Sequence, residues 1–188
     1  MNTKITLLFL LAGIVAFGQK IPKDKKQLIA SIENHKEDLI SISDKIWANA
    51  EIAFQETESS KLLADYAEAN GFTVERGVAD IPTAFIATYG EGKPVISVLG
   101  EFDALPGISQ KAQPTKEPLE AGAAGHGCGH NLFGTASLGA AIAVKEMIEA
   151  GEIKGTVKFI GTPAEEKFFG KLWMLEAGVW DDVDVNVS

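Results

Sequence analysis

A glycine-rich segment, GHGCGHN at residues 125–131, carries side-chain types that bind transition metals. Its His126, Cys128 and His130 alternate with glycines, which permit unusual backbone angles and so let the thiolate and the imidazoles turn toward one point. Together with a carboxylate, these donors suit zinc or a similar divalent ion. The segment therefore predicts a metal site, although His126 could equally cap a loop or line a substrate pocket.

Two adjacent carboxylates, Glu165 and Glu166, follow a predicted strand in the sequence GTPAEE. A glutamate pair on a surface helix is usually only solvated charge. Here the pair is expected in a loop at the end of a strand, where consecutive side chains point in different directions. One carboxylate can then bind a divalent ion while the other takes a proton from water and passes it to a leaving amine. This arrangement predicts hydrolysis of an amide without a covalent intermediate.

The helices that must position these residues follow from hydrophobic periodicity and from end signals. Apolar residues at alternating steps of three and four predict a helix over 23–50. A second helix is expected over 58–70, because Gly71 can take the left-handed conformation that ends it. A third helix is expected over 132–150, with Asn131 as its N-cap.

Strands are predicted between these helices. Residues 83–89 and 95–99 are separated by the turn sequence GEGKP and predict a hairpin that enters a central sheet. Residues 156–161 and 183–187 are expected to form further strands. Strand, helix and strand in succession form a crossover unit. The expected fold is therefore α/β, with a partial, mixed, largely parallel sheet and flanking helices.

Three polar clusters that are distant in sequence are expected to meet at one edge of this sheet. Glu101 and Asp103 follow one predicted strand, and Glu165 and Glu166 follow another. The GHGCGHN segment begins the helix between those strands. Ligands of open α/β sheets bind outside the carboxyl ends of the strands. This convergence is stronger evidence for a site than any one cluster alone.

Composition limits the class of protein. With 188 residues, 46% of them hydrophobic and 23% charged, the chain is expected to form one folded domain. Its formal net charge of −9 argues against a nucleic acid or an anionic membrane surface as the main partner. A soluble acidic enzyme fits this composition better.

Residues 1–18 have the pattern of a secretory signal peptide. Lys4 precedes an apolar run over 5–17, and small residues precede a cut ahead of Gln19. The run is shorter than the roughly 20 residues needed to span a bilayer, so no stable membrane anchor is expected. Export to the periplasm or the extracellular space follows, and residues 19–188 would form the hydrolase part.

Three motifs resemble a known family in their order and spacing. GEFDALPG at 100–107, GHGCGHN at 125–131 and GTPAEE at 161–166 are similar to the aminoacylase and carboxypeptidase-G type of di-metal amidohydrolases. The likeness is closest to the branch that contains p-aminobenzoyl-glutamate hydrolase and the indole-acetyl-amino-acid hydrolases. The stretch WANAEIAFQETESS, which starts at Trp47, also looks like that branch.

The resemblance implies roles for individual residues. Cys128 and His130 would bind metal, with the cysteine able to bridge two ions. Glu165 would be the general base and Glu166 the next metal ligand, while Asp103 would orient a ligand through a hydrogen bond. It also implies two zinc or manganese ions. The substrate would be a small N-acyl or N-aroyl amino acid or a dipeptide, cut at its amide bond.

Family members continue past the position of Ser188 with a further histidine ligand, a lid domain used for dimerisation and a last histidine ligand. We therefore expect residues 19–188 to be the truncated N-terminal part of a catalytic domain, inactive by itself, with a homodimer forming only through the lid domain. Two alternatives stay open. One is a non-catalytic metal-binding remnant, and the other is a hydrolase that uses Cys128 as its nucleophile, in which the glutamate pair would have no role.

Overall fold

The computed structural model describes residues 21–188. The signal peptide predicted over 1–18 lies outside the described residues. Within 21–188, no helix is long and apolar enough to cross a membrane. The helices are α1 (Lys23–Asn49), α2 (Thr57–Ala69), α3 (His130–Glu149), α4 (Glu165–Phe168) and α5 (Gly170–Glu176), and the strands are β1 (Thr73–Arg76), β2 (Phe85–Glu91), β3 (Val95–Glu101), β4 (Gly155–Thr162) and β5 (Val185–Val187).

The five strands form one mixed sheet in the order β1-β2-β4-β3-β5. Strand β3 runs parallel to β4 and to β5, whereas β2 runs antiparallel to β1 and to β4. Helix α3 connects the parallel neighbours β3 and β4, so the predicted crossover unit is confirmed. The α/β class and the mixed sheet with flanking helices are confirmed as well, with two of the four strand pairs parallel.

The predicted hairpin between β2 and β3 is wrong, because β4 lies between them. Gly161 of β4 pairs with Phe85 of β2 on one side and with Gly100 of β3 on the other. The turn between β2 and β3 does reverse the chain, but it passes the end of β4, where Thr156 donates a backbone hydrogen bond to Pro94. Strand β4 is mostly buried, so a central position covers it better than an edge position would.

Helices α1 and α2 match their predicted ranges to within one residue at each end, and Gly71 has a φ of 86°, in the left-handed region. The prediction that Asn131 caps α3 is wrong. Helix α3 begins at His130, and Gly129, with a φ of 84°, occupies the N-cap position. The side chain of Asn131 is buried and donates to Oγ of Ser43 at 3.1 Å. It joins α3 to α1 instead of capping the helix.

The core lies between the sheet and helices α1 to α3, where Phe85, Phe102 and Phe159 are fully buried. Gly134 in α3 allows the helix to approach the end of β3 closely. A Cβ at this position would stand 2.5 Å from the backbone oxygen of Glu101, so no larger residue fits. The N-terminal turns of α3 therefore lie against the carboxyl end of β3, and this contact sets the position of the site.

Candidate metal centre

The carboxyl ends of β3 and β4 and the N-terminus of α3 meet at one place, with His130 at its centre. Nε2 of His130 lies 3.0 Å from Oε2 of Glu101, 3.8 Å from Oε2 of Glu165 and 3.9 Å from Oε1 of Glu166. Nδ1 of the same ring faces Asp103. The three polar clusters of the sequence are thus brought together, as expected for the carboxyl ends of neighbouring parallel strands.

A mixed set of donors at this place fits a divalent ion. Ligand atoms of Cys128, His130 and Glu166 lie within 4.8 Å of one another, and the same holds for Glu101, His130 and Glu165. Oε1 of Glu166 is buried and has no hydrogen-bond partner among residues 21–188. A buried carboxylate oxygen without a partner is unfavourable, and a cation beside it would offset that cost. Thiolate, imidazole and carboxylate are also donors that zinc favours.

The two donor sets share His130, and this residue can serve one ion through one nitrogen. Its Nδ1 lies 3.0 Å from the backbone oxygen of Asp103 and 3.2 Å from Oδ1 of that residue, so Nδ1–H donates there. Nε2 is the ring nitrogen that remains available to an ion. The set that contains Cys128 has the mixed donors expected for zinc, while Glu101 and Glu165 stand beside it as additional carboxylates.

Asp103 links the two halves of the site. The residue is buried, its Oδ1 accepts from His130, and its Oδ2 accepts the backbone N–H of Glu166 at 2.9 Å. Burial alone would raise the pKa of Asp103, but the hydrogen bonds from His130 and Glu166 lower that pKa below its usual value. An ionised Asp103 fixes the ring of His130, which is how carboxylates orient histidine ligands in metal sites.

The carboxylates create a strong negative field at His130. Burial alone would lower the pKa of His130, but hydrogen bonds to Asp103 and Glu101 outweigh burial and raise the pKa to about 11. Burial alone would likewise raise the pKa of Glu101, yet contacts with His130 and the ammonium of Lys171 lower it. At neutral pH the field therefore keeps a proton on His130. A cation that binds Nε2 must displace this proton, so metal affinity falls as pH falls.

Glu165 and Glu166 begin the four-residue helix α4 and do not lie in an open loop, which corrects the sequence prediction. Their side chains still diverge, because successive residues of a helix are about 100° apart. Glu166 is 14% exposed, and burial raises its pKa, whereas the side chain of Glu165 is 35% exposed. Glu166 is thus the inner carboxylate, and Glu165 is the one that solvent reaches.

Cys128 and His126 occupy different positions although they are close in sequence. Cys128 is exposed and contributes Sγ to a donor set, whereas His126 belongs to neither donor set within the described part of the chain. Nε2 of His126 lies 3.0 Å from the backbone oxygen of Ile46 and donates to it, and burial lowers the pKa of the ring. His126 therefore ties the segment to α1. It also lines a cavity of about 360 Å³ together with Trp47 and Ile108.

The glycines of the GHGCGHN segment provide space more than unusual backbone angles. Of the three, Gly129 has a positive φ, and the other two do not. At Gly125 a Cβ would stand 2.6 Å from the backbone oxygen of Ile108, and at Gly127 it would collide with the side chain of the same residue. The backbone of the segment therefore lies in close contact with the loop at Ile108. This contact directs Cys128 and His130 toward the carboxylates.

Two charged residues beside the site do not follow from sequence patterns. Lys171 in α5 pairs with Glu101, and Glu56, ahead of α2, accepts the backbone N–H of Ala164. Lys171 is 70 residues from Glu101 in the sequence, and Glu56 is 108 residues from Ala164. A single lysine or glutamate in a polar stretch gives no signal by itself. The family-like stretch that starts at Trp47 contains Glu56 and is the one available signal for it.

Replacing Asp103 by asparagine is expected to weaken Zn²⁺ binding about 10- to 100-fold, the usual effect of losing a carboxylate that orients a histidine ligand. An amide has one acceptor oxygen, whereas Asp103 uses both of its oxygens, one for His130 and one for Glu166. Isothermal titration with Zn²⁺ measures the affinity. Asp24→Asn, at an exposed position in α1, is the control. An unchanged affinity would mean that Asp103 does not orient the ligand.

Known proteins of one family are similar to this chain. The model of peptidase family M20/M25/M40 matches residues 98–187. A subunit of the p-aminobenzoyl-glutamate hydrolase of Escherichia coli (strain K12) is 51% identical over 84% of this chain and 33% of that protein. The IAA-amino acid hydrolase ILR1-like 5 of Arabidopsis thaliana is 33% identical over 87% of this chain and 36% of that protein. The chain thus spans about a third of the length of these curated relatives.

A solved structure agrees with the fold. A Bacillus subtilis protein described as a dinuclear metal-binding peptidase of the M20 family superposes with a TM-score of 0.70 at 31% sequence identity. The match covers 82% of this chain and 42% of that one. The fold of this relative and its metal-binding character agree with the donor sets around His130.

Proposed function

Because this chain belongs to peptidase family M20/M25/M40, we propose that it provides the metal-binding and proton-transferring side of an amidohydrolase centre. The family resemblance in the sequence motifs is confirmed by the comparisons. The observation that supports the function most directly is the arrangement around His130. There a thiol, an imidazole and three carboxylates, those of Glu101, Glu165 and Glu166, lie close enough together to act on one substrate.

The proposed substrate is a small N-acyl or N-aroyl amino acid or a dipeptide, cut at its amide bond. The relative at 51% identity is named for p-aminobenzoyl-glutamate, which joins an aryl group to an amino acid. The relative at 33% identity is named for amino-acid conjugates of IAA, and a mouse relative at 30% identity is named as an Xaa-Arg dipeptidase. Each of these three names describes a compound with an amide bond, and the amine side of that bond comes from an amino acid.

Cys128, His130 and Glu166 would hold a divalent ion, and we propose zinc or manganese. A second ion is also proposed, since the Bacillus subtilis relative is described as dinuclear and Glu101 offers a further carboxylate at the same place. When bound, such an ion acts as a Lewis acid that polarises the amide carbonyl and lowers the pKa of water. Cys128 would contribute its thiolate to this site.

Glu165 is proposed as the general base and acid. Its carboxylate is 35% exposed and lies 3.8 Å from Nε2 of His130, so it is open to solvent and lies beside the set of Cys128, His130 and Glu166. Glu165 takes a proton from the attacking water as the C–O bond forms, and returns that proton to the amine nitrogen as the C–N bond breaks. The products are a carboxylic acid and a free amine, with no covalent intermediate on the protein.

Removal of metal is expected to abolish hydrolysis of p-aminobenzoyl-glutamate, and addition of Zn²⁺ or Mn²⁺ is expected to restore it. The assay uses the full-length protein, because residues 19–188 are expected to be inactive by themselves. It treats that protein with a chelator, dialyses it, and quantifies released glutamate before and after each metal is added. Ca²⁺ is the control ion, because it prefers oxygen ligands and does not suit a site with a thiolate. Hydrolysis that survives chelation would contradict the proposed function.

We also propose that the protein is exported through the signal peptide at residues 1–18 and acts in the periplasm or outside the cell. The support is the charged start followed by an apolar run and small residues. Amino-terminal sequencing of the protein recovered from its host is expected to begin at Gln19, and recovery of Met1 would contradict export. A homodimer is proposed only through a lid domain of the kind that the family resemblance implies.

A further inference from the structure

Glu56 is a fully buried carboxylate that the proposed chemistry does not use. Its Oε1 accepts the backbone N–H of Phe54 and that of Ala164, each at 2.9 Å, and its Oε2 accepts the hydroxyl of Thr83 at 3.1 Å. Burial raises the pKa of Glu56. One side chain therefore joins three separate segments: the loop before α2, the loop before β2 and the turn before α4.

The turn that Glu56 holds is strained and lies directly before Glu165. Ala164 has a φ of 59°, in the left-handed region, which a residue with a Cβ rarely adopts because its Cβ crowds the backbone. The backbone oxygen of Ala164 accepts from Phe168 at 3.2 Å and from Gly170 at 3.3 Å, both nearby in sequence. Its N–H goes to Glu56, 108 residues away. Glu56 thus ties the backbone N–H of Ala164 to a distant part of the fold.

A simple helix-capping role does not account for Glu56. The residue precedes α2 at the N-cap position, yet its side chain makes no capping hydrogen bond. Glu51 makes those contacts instead, because its carboxylate accepts the backbone N–H groups of Glu58 at 3.0 Å and of Ser59 at 2.8 Å. The carboxylate of Glu56 is aimed away from the helix, at the turn before Glu165.

We propose that Glu56 is a positioning residue that fixes Glu165 and Glu166 relative to His130, an inference that rests on the proposed function. Two buried carboxylates bracket Glu165 along the backbone: Glu56 holds the N–H of Ala164, and Asp103 holds the N–H of Glu166 at 2.9 Å. With both N–H groups fixed, the first turn of α4 has one orientation, and the carboxylates of both glutamates are held beside Nε2 of His130.

The test compares Glu56→Ala and Glu56→Gln with Glu51→Ala as the control. Co²⁺ is the probe, because its absorption spectrum reports the ligand geometry and its titration gives the affinity. Glu56→Ala is expected to lower Co²⁺ affinity at least about tenfold and to shift the spectrum, since Glu166 loses its fixed position. In the full-length protein it is also expected to lower kcat about 100-fold, the effect of a misplacement of about 1 Å, with little change in KM.

Glu56→Gln is expected to keep Co²⁺ affinity and kcat within about threefold of wild type. The amide oxygen still accepts both N–H groups, and the hydroxyl of Thr83 can rotate to accept from the amide nitrogen. Glu51→Ala is expected to lower stability toward urea while leaving the Co²⁺ spectrum unchanged. Should Glu56→Ala fail to fold, Glu56→Asp replaces it, because the carboxylate is retained but falls short of Ala164 by about 1.5 Å, the length of one C–C bond.

Different results overturn the positioning role and the proposed function. Suppose that wild type binds Co²⁺ and that Glu56→Ala, or Glu56→Asp in its place, matches Glu51→Ala in affinity and spectrum. Glu56 then serves folding alone, and the positioning role is wrong. An equal loss in Glu56→Gln would also overturn it, because hydrogen bonding would then not be the cause. If wild type itself binds no Co²⁺, the proposed function fails first.

Discussion

Replacing Glu165 by glutamine is expected to lower kcat about 10²- to 10⁴-fold while leaving metal affinity within about threefold of wild type. Glutamine has the shape of glutamate but cannot take a proton from water. Glu165 stands outside the donor set of Cys128, His130 and Glu166, so that set stays intact. Steady-state hydrolysis of p-aminobenzoyl-glutamate by the full-length protein gives kcat, and titration with Zn²⁺ gives the affinity.

The same variant separates the proposed function from its two alternatives. In a hydrolase with Cys128 as the nucleophile, loss of the Glu165 carboxylate would leave turnover nearly unchanged. In a non-catalytic metal-binding module, wild type would bind metal and show no turnover to lose. Glu176→Gln, at an exposed position of α5, is the matched control and is expected to behave as wild type. Turnover in Glu165→Gln equal to that of this control would contradict the general-base role.

Replacing Cys128 by serine is expected to lower Zn²⁺ affinity at least about 100-fold. Loss of a residue that only hydrogen-bonds to a metal ligand costs up to about 100-fold, and loss of a ligand itself should cost at least as much. A serine hydroxyl is a poor ligand at neutral pH, whereas a thiolate is among the strongest for zinc. Cys128 is exposed, so the change leaves the core untouched. Zn²⁺ titration measures the loss, and Co²⁺ absorption adds a second readout, because bands from sulfur-to-cobalt charge transfer are expected to disappear.

Ser109→Ala is the control for this experiment, because Ser109 lies on the loop beside the GHGCGHN segment and belongs to neither donor set within the described residues. Unchanged affinity in Cys128→Ser, with the charge-transfer bands still present, would remove Cys128 from the ligand set. The carboxylates of Glu101 and Glu165 around His130 would then be the better candidates.

Sequence patterns predict this fold where the signal is local. The periodicity of α1, the glycine that ends α2 and the apolar run of β3 each involve neighbouring residues, and each is found where expected. The order of strands is not a local property. GEGKP is a genuine turn, but nothing within it shows whether β2 and β3 pair with each other or admit β4 between them. That choice depends on which strand is best buried.

The candidate site shows the same division. The convergence of Asp103, His130 and Glu166 can be predicted, because parallel strands joined by a crossover helix bring their carboxyl ends together. The residue type of Asn131 favours a cap, yet Ser43 in α1 offers its amide a buried partner. The roles of Glu56 and Lys171 could not be predicted, since each depends on a contact with a distant residue.

The position of β4 also affects the order in which this sheet can assemble. Within residues 21–188, β1 and β2 form the one antiparallel pair of strands that are consecutive in the chain. Strand β3 has both of its partners later in the chain, so it stays unpaired until β4 has been synthesised. Contacts of high sequence separation slow folding and leave apolar strands exposed meanwhile. A nascent chain that has passed β3 but not β4 therefore exposes an unpaired apolar strand, which favours aggregation unless the strand is shielded.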